Sequence, residues 1–374
     1  MSRAPYELAM ESRVEGARPT YRFATADGVH SKRSFRAADR LLLESLWDAD
    51  PGRLLCPEAN YGVVGTVLDD AADAVTMTES SARAARLCER NAARNDADAA
   101  VELVADYGGL DRAFDAAAYA PKPYTALAVG KRRIADALGA LRPGGGLYLA
   151  AAAGAGLSRY EDCLAELADS VERVAGRDGC RLLRATRPEA VDAPQYVTSR
   201  RIDATVGGVD LPLVSVPGLF AAGRLDRGTR LLLETATPED DERVLDLCCG
   251  YGPVGTYAAR VADCKVWLSD DDAMATRCAA RSLDASGVDG RVVTADCASG
   301  VADRTFDRIL CNPPTHAGDG VLDDLFAGAR DVLAPGGALT LVHHRDLDLR
   351  SHLAPFDAAE RRATGPEHVV LTAR

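Results

Sequence analysis

RLLLESLWDADPGRLLCPEANYGVVG (residues 40–65) and RLLLETATPEDDERVLDLCCGYGPVG (residues 230–255) are two stretches of one chain, equal in length and alignable without a gap. Twelve of their 26 positions are identical, and self-similarity of that kind marks a repeated structural unit. The correspondence runs on at a nearly constant spacing. VTMTE (Val75–Glu79) stands opposite VWLSD (Val266–Asp270), FDAAAYAPKPYTA from Phe114 opposite FDRILCNPPTHAG from Phe306, and LRPGGGLYL from Leu141 opposite LAPGGALTL from Leu333. The offset drifts only from 190 to 192 residues. The chain is a tandem duplication of one fold.

Within the second copy, RVLDLCC, KVWLSD, RVVTAD, FDRILC and ALTLVHH are short apolar runs rich in Val, Leu and Ile, the pattern of strands. Between them PVGTYAARVA, AMATRCAARSLDASG and VLDDLFAGARDVLAPGG read as helices, the last closed by Pro-Gly-Gly as a helix stop. Strands alternating with helices imply an α/β, doubly wound and mainly parallel sheet of the Rossmann type. Two such domains are expected, residues 1–192 and 193–374, meeting near Pro194 in RATRPEAVDAPQYV.

The bulk composition agrees. A chain of 374 residues with 47% hydrophobic content suits two globular domains. No run of about 18 apolar residues spans a membrane, and the N-terminus lacks a secretory apolar region, so a cytoplasmic protein is expected. Ten cysteines form no CxxC pair and no spacing suited to zinc; no metal is expected. The formal charge is −12, with 4 Lys against 40 Arg. That balance is the composition of a halophilic, GC-rich organism, and points to a halophilic archaeon. At molar salt the Debye length is about 3 Å, so the acidic charge does not exclude a nucleic-acid partner.

In VLDLCCGYGPVG an apolar strand carries Asp246 and then Gly250, Gly252 and Gly255 in a G-x-G-x-x-G spacing. The glycines let the backbone turn tightly and approach a ligand, and the last lets a helix pack on the strand. That motif alone also fits nicotinamide or flavin cofactors. Two features favour S-adenosylmethionine. Asp246 precedes the first glycine, where a carboxylate meets an ammonium group or an ordered water, whereas a pyrophosphate over this turn gains nothing from an acid. Asp270 ends the next strand, placed to accept from a ribose diol, and Asp296 ends RVVTAD, placed to accept from an adenine amine. Cys248 in the turn, and Asp271 and Cys297 beside the two strand-end acids, are counted with the cofactor residues.

Asn312-Pro313-Pro314-Thr315 follows FDRILC directly. It resembles the Asn/Asp-Pro-Pro-aromatic signature of class I methyltransferases acting on planar amino groups. An exocyclic amine donates its lone pair into the ring and is a poor nucleophile. An Asn carbonyl and the next Pro carbonyl can accept both amine hydrogens, favouring a pyramidal nitrogen, and consecutive prolines hold the acceptors ready. No strong base is required; positioning supplies the rest. Over nearly its whole length the chain resembles the two-domain bacterial ribosomal RNA guanine-N2 methyltransferases, which pair a degenerate first copy with an active second one. The resemblance implies S-adenosylmethionine as cofactor, Asn312, Pro313 and Pro314 as catalytic, and Thr315 and His316 as contacts to the base. It also extends to VSVPGLFAAGRLDRGTRLLLET (Val214–Thr235), and on that ground alone places Phe220 and Asp226 near the methionine end of the cofactor. The sequence departs from the family at Thr315, where an aromatic residue is usual, and His316 or Phe220 could supply a flat face instead.

In the first copy Asp246 faces Cys56, Gly250 faces Asn60, and Asn312-Pro313-Pro314 faces Ala120-Pro121-Lys122, while Gly62 and Gly65 are kept. Its expected role is structural support and RNA placement. Lys122, Lys131, Arg132, Arg133, Arg200 and Arg201 could meet phosphates, although a basic run is more often a solvated face. The leading expectation is methylation of guanine N2 in small-subunit ribosomal RNA. Methylation of a tRNA or DNA base or a glutamine amide, and a cofactor-binding ribosome-assembly factor without turnover, are the alternatives.

Overall fold

The computed structural model describes residues 6–110 and 113–374. Two compact units result, one ending at Thr198 and the other running Ser199–Arg374. The first contains β1 (Tyr6–Glu11), β2 (Thr20–Thr25), α1 (Ala37–Leu46), β3 (Arg53–Cys56), α2 (Val63–Leu68), β4 (Ala74–Glu79), α3 (Ala82–Arg94), β5 (Ala100–Leu103), β6 (Phe114–Tyr119), α4 (Leu127–Ala140), β7 (Leu141–Ala152), α5 (Leu157–Leu167), β8 (Ser170–Arg177) and β9 (Cys180–Thr186). The second contains β10 (Arg200–Val206), β11 (Val209–Ser215), α6 (Arg227–Thr235), β12 (Arg243–Leu247), α7 (Pro253–Val261), β13 (Lys265–Asp270), α8 (Ala273–Ser286), β14 (Arg291–Thr294), β15 (Phe306–Cys311), α9 (Asp319–Asp331), β16 (Leu333–His344), β17 (Ala359–Thr364) and β18 (His368–Ala373).

Each unit is built on a seven-stranded sheet, ordered β5-β4-β3-β6-β7-β9-β8 and β14-β13-β12-β15-β16-β18-β17. Five strands of each run parallel and the last two pair antiparallel. The expected doubly wound, mainly parallel α/β fold is thus present twice. Each sheet is preceded by an antiparallel hairpin, β1–β2 or β10–β11, which the sequence reading did not anticipate. In the second unit the chain moves outward from β12 to β13 and β14, then returns to β15 on the other flank. That reversal opens a crevice at the carboxyl ends of β12 and β15, where open α/β sheets bind ligands.

Strand β12 explains why a polar residue there matters. Val244, Leu245 and Leu247 are fully buried, as a strand covered by helices on both faces requires. Asp246, 1% exposed, is the acid among them. After the strand, Cys248, Gly250 and Gly252 take φ of 63°, 54° and 83°. The first unit makes the same turn with Glu58, Asn60 and Gly62 at 50°, 65° and 85°, so the backbone path is kept where the side chains have changed. Gly255 keeps α7 close to the sheet: a Cβ there would lie 2.6 Å from Leu268 Cγ.

The structure corrects three readings. Helix α9 stops at Asp331, and Leu333–His344 is one strand with Pro335, Gly336 and Gly337 inside it, next to a register shift between Phe306 and Arg308. Pro-Gly-Gly therefore serves a bulge rather than the helix end. Strand β14 ends at Thr294, which leaves Asp296 two residues beyond it. Lys122 and Arg133 are not a phosphate-facing cluster. Their side chains are 11% and 4% exposed and turn inward onto Glu58 and Glu79.

That inward cluster occupies the first unit's counterpart of the ligand crevice. Lys122 Nζ donates to both Glu79 oxygens at 3.0 Å and to Glu58 Oε2 at 3.4 Å, and Arg133 Nε donates to Glu58 Oε1 at 2.8 Å. Glu79 also accepts from the Asn60 N–H. Burial lowers the Lys122 ammonium, but Glu79 and Glu58 outweigh it and hold the group charged. Two cations face two acids within one buried cluster, in which burial pushes the Glu79 carboxyl up to about 7.

Candidate functional site

The crevice of the second unit holds a cavity of about 390 Å³, within the range of small-molecule sites. Five segments line it: Gly218–Ala221 with Asp226 and Thr229, Asp246 with the turn Cys248–Tyr251 and the start of α7, Asp270 with Asp272, Asn312–His316, and the trio His343, His344 and His368. The fold thus brings together Phe220, Asp226, Asp246, Cys248, Gly250, Asp270, Asn312, Pro313, Pro314, Thr315 and His316. Gly252, Gly255, Asp271, Asp296 and Cys297 do not line it. Gly252 and Gly255 face α8 and β13 instead, where a Cβ would meet Ala279 at 3.0 Å and Leu268 at 2.6 Å.

A buried carboxylate, Asp246, and a half-buried one, Asp270, set the electrostatics. Asp246 Oδ2 accepts from the Gly255 N–H at 2.7 Å, near the N-terminus of α7. Burial pushes its carboxyl up to about 7, with the charge of Asp270 adding to the effect. Asp270 accepts from the Gly250 N–H at 2.8 Å and the Asp272 N–H at 3.0 Å, and burial raises it to about 6. Two acids held near neutrality in one crevice make a site that gains from a cationic occupant.

The Asn-Pro-Pro segment leaves β15 at the sheet's carboxyl edge. The Thr315 N–H donates to the Pro313 carbonyl at 2.9 Å and the Ala317 N–H to that of Pro314 at 2.9 Å. Pro313 therefore has one of two lone pairs occupied before any substrate arrives. Asn312 Nδ2 donates to Thr229 Oγ1 at 2.9 Å and approaches Asp226 Oδ2 at 3.5 Å. Asp226 is also the N-cap of α6, its Oδ2 accepting from the Thr229 N–H at 2.9 Å.

Thr229 and three histidines escaped the sequence reading. His343 and His344 end β16 and His368 opens β18, with the rings of His344 and His368 edge-on at 5.6 Å. Of the chain's six histidines, four (His316 with this trio) line the cavity. Burial holds the His343 imidazole below its usual value, so it is neutral at pH 7. Only the composition of the strand end VHH carried any hint of this. Phe220 stands at the rim, 63% exposed, and Tyr251 donates its hydroxyl to the Arg224 carbonyl at 3.1 Å, tying the entry segment to the cofactor turn.

The chain matches the methyltransferase small domain family twice, over residues 20–184 and 210–372. Ribosomal RNA small subunit methyltransferase C of Pseudomonas aeruginosa is 34% identical over 230 residues, covering 58% of this chain and 68% of that protein. Ribosomal RNA large subunit methyltransferase G of Ectopseudomonas mendocina is 36% identical over 205 residues, 52% of this chain and 53% of that protein. Among solved structures, the T. thermophilus 16S rRNA N2 methyltransferase RsmC, in complex with AdoMet and guanosine, superposes with a TM-score of 0.80 over 95% of both chains at 24% identity.

Proposed function

Because the chain belongs to the methyltransferase small domain family, and within it to the ribosomal RNA small subunit methyltransferase C family, we propose that it methylates the N2 amine of a guanine in small-subunit ribosomal RNA. It is an S-adenosylmethionine-dependent methyltransferase. The observation that carries the reading is one cavity joining the carboxylates of Asp246 and Asp270 to an Asn-Pro-Pro acceptor segment.

The residues fit the cofactor. It is a cation, and Asp246 and Asp270 are acids with raised carboxyls that a cation relieves. Asp246 is assigned to its charged end and Asp270 to the ribose hydroxyls, while Phe220 and Asp226 bound the side from which it enters. When bound, it supplies a methyl group on a positively charged sulfur. The chain's part is to make a poor nucleophile attack. Asn312 Oδ1 and the free lone pair of Pro313 accept the two amine hydrogens, so the nitrogen lone pair is freed from the ring. The methylated nitrogen then loses one proton to water. Thr315 offers no ring for stacking, and His316, His344 and His368 supply flat faces around the same cavity. Asp271, Asp296 and Cys297, outside the cavity wall, act at most by supporting the adenine end. The first unit, residues 1–192 by the repeat, serves to support and place the RNA. The acid-rich composition supports a halophilic source, with the reaction in the cytoplasm where ribosomal subunits are met.

The test is transfer from labelled S-adenosylmethionine to unmethylated small subunits in high-salt buffer, followed by nucleoside analysis. Labelled N2-methylguanosine is expected, and Asn312→Ala is expected to abolish it with cofactor affinity nearly intact. Label confined to large-subunit RNA, or absent while the cofactor still binds, would sink the assignment.

A further inference from the structure

We propose that Thr229, together with Asp226, is the positioning pair that fixes which face of the Asn312 amide meets the substrate. The inference rests on Asn312 as the amine acceptor, and concerns what makes it one. An asparagine side chain has two nearly isosteric ends, one donating and one accepting. Turned one way it would accept the amine hydrogens; turned the other it would present its own N–H groups and repel them.

The surroundings settle the choice. Asp226 Oδ2 lies 3.5 Å from the amide nitrogen, and a carboxylate oxygen only accepts. It already takes the Thr229 N–H at 2.9 Å, so an amide oxygen in that place would face another oxygen. Thr229 Oγ1 lies 3.4 Å from the same carboxylate oxygen and accepts from Asn312 Nδ2 at 2.9 Å. Its hydrogen points to Asp226 and its lone pair to Asn312. Both amide hydrogens are thus directed into the first turn of α6, and Oδ1 is left facing away from it. Half-buried Asn312 lines the cavity, so that oxygen is the end available to a substrate. A carboxylate pulling on the NH2 group also deepens amide resonance and enriches the oxygen, strengthening it as an acceptor.

The duplicate supplies an internal control. At the equivalent places the first unit has Arg36 for Asp226, Asp39 for Thr229 and Ala120 for Asn312. Arg36 there pairs with Asp39 and donates to the Ala120 carbonyl at 3.0 Å. Where the amide is gone, the pair that would orient it is gone as well. All three changed together.

Thr229 is 4% exposed, and Thr229→Val keeps its shape while removing the acceptor. In the full chain, with small ribosomal subunits and labelled S-adenosylmethionine, kcat is expected to fall about tenfold, the worth of one oriented hydrogen bond. The dissociation constant for the cofactor should stay within about twofold, and Thr229→Ser should restore most of the lost rate. A fall in cofactor affinity and melting temperature that matches the lost rate in both Thr229→Val and Thr229→Ser would mean a structural role and overturn the inference. If Thr229→Val does not fold, Thr229→Ala set beside Thr229→Ser carries the same comparison. Wild-type kcat in the hydroxyl-free variant, with Asn312→Ala inactive, would overturn the inference and spare the acceptor assignment. Activity surviving Asn312→Ala would overturn the assignment itself.

Discussion

Asp246 has a carboxyl raised to about 7 in the folded protein, against about 3.9 for a free aspartate. The folded state therefore holds this proton more tightly than the unfolded one. Its contribution to stability is complete below about pH 4 and is lost as pH rises through 7; Asp270 follows, through about 6. A cationic cofactor reverses that loss by favouring both ionised forms. The melting-temperature rise given by saturating S-adenosylmethionine is expected to grow between about pH 5.5 and 8. Thermal melts across that range in constant high salt would measure it, and a flat profile would remove these acids from the cofactor's charged end. Asp246→Asn should weaken cofactor binding about tenfold or more while flattening the profile. Asp246 and Asp270 were legible because acids at fixed places in apolar strands stand out. Of the cavity's histidines only His316 was legible, beside the Asn-Pro-Pro segment; His343, His344 and His368 lie on two strands that only the sheet order brings to the site, so no local spacing announces them.

At the scale of elements, the glycines kept in both copies hold a helix against a strand. A Cβ at Gly255 would lie 2.6 Å from the branched Cγ of Leu268, and one at Gly65 would lie 2.5 Å from Cγ of Met77. An unbranched, flexible Met yields more readily than a Leu locked between neighbours. Gly255→Ala is expected to destabilise its unit by about 1–3 kcal/mol, and Gly65→Ala by clearly less, as measured by chemical denaturation of each variant. Equal costs would mean that the Leu268 side chain has room to move. The strand and helix alternation was readable because buried parallel strands are almost continuously apolar. The β10–β11 hairpin carried its own signal, alternating polar and apolar residues around Gly207-Gly208, but it lies outside the repeated window from which the fold was read. The Pro-Gly-Gly stretch misled because the same residues that end helices also bend a strand.

At the scale of the whole chain, duplication left two copies of one backbone with opposite interiors. The repeat was plain in the sequence, and so was the loss of Asp246 and Asn312 in the first copy. What replaced them was hidden, because Lys122 sits in a run of basic residues whose usual fate is a solvated face. Glu79 at the end of β4, together with Glu58 in the turn after β3, brings it inward. Lys122→Met would leave Glu58 and Glu79 buried with Arg133 alone, at a cost of about 3–5 kcal/mol. Calorimetry of the full chain is expected to show S-adenosylmethionine raising the transition of the second unit, and this substitution lowering that of the first. A cofactor-induced shift of both transitions by equal amounts would contradict the assignment of separate interiors.

The buried ammonium of Lys122 has a consequence in mass action. A bound metabolite stabilises its host only as far as its concentration exceeds its dissociation constant. Lys122 is a ligand joined to its own receptor, so dilution cannot remove it and no supply limits it. When the methyl donor runs short, the second unit loses stability with the logarithm of the donor's concentration.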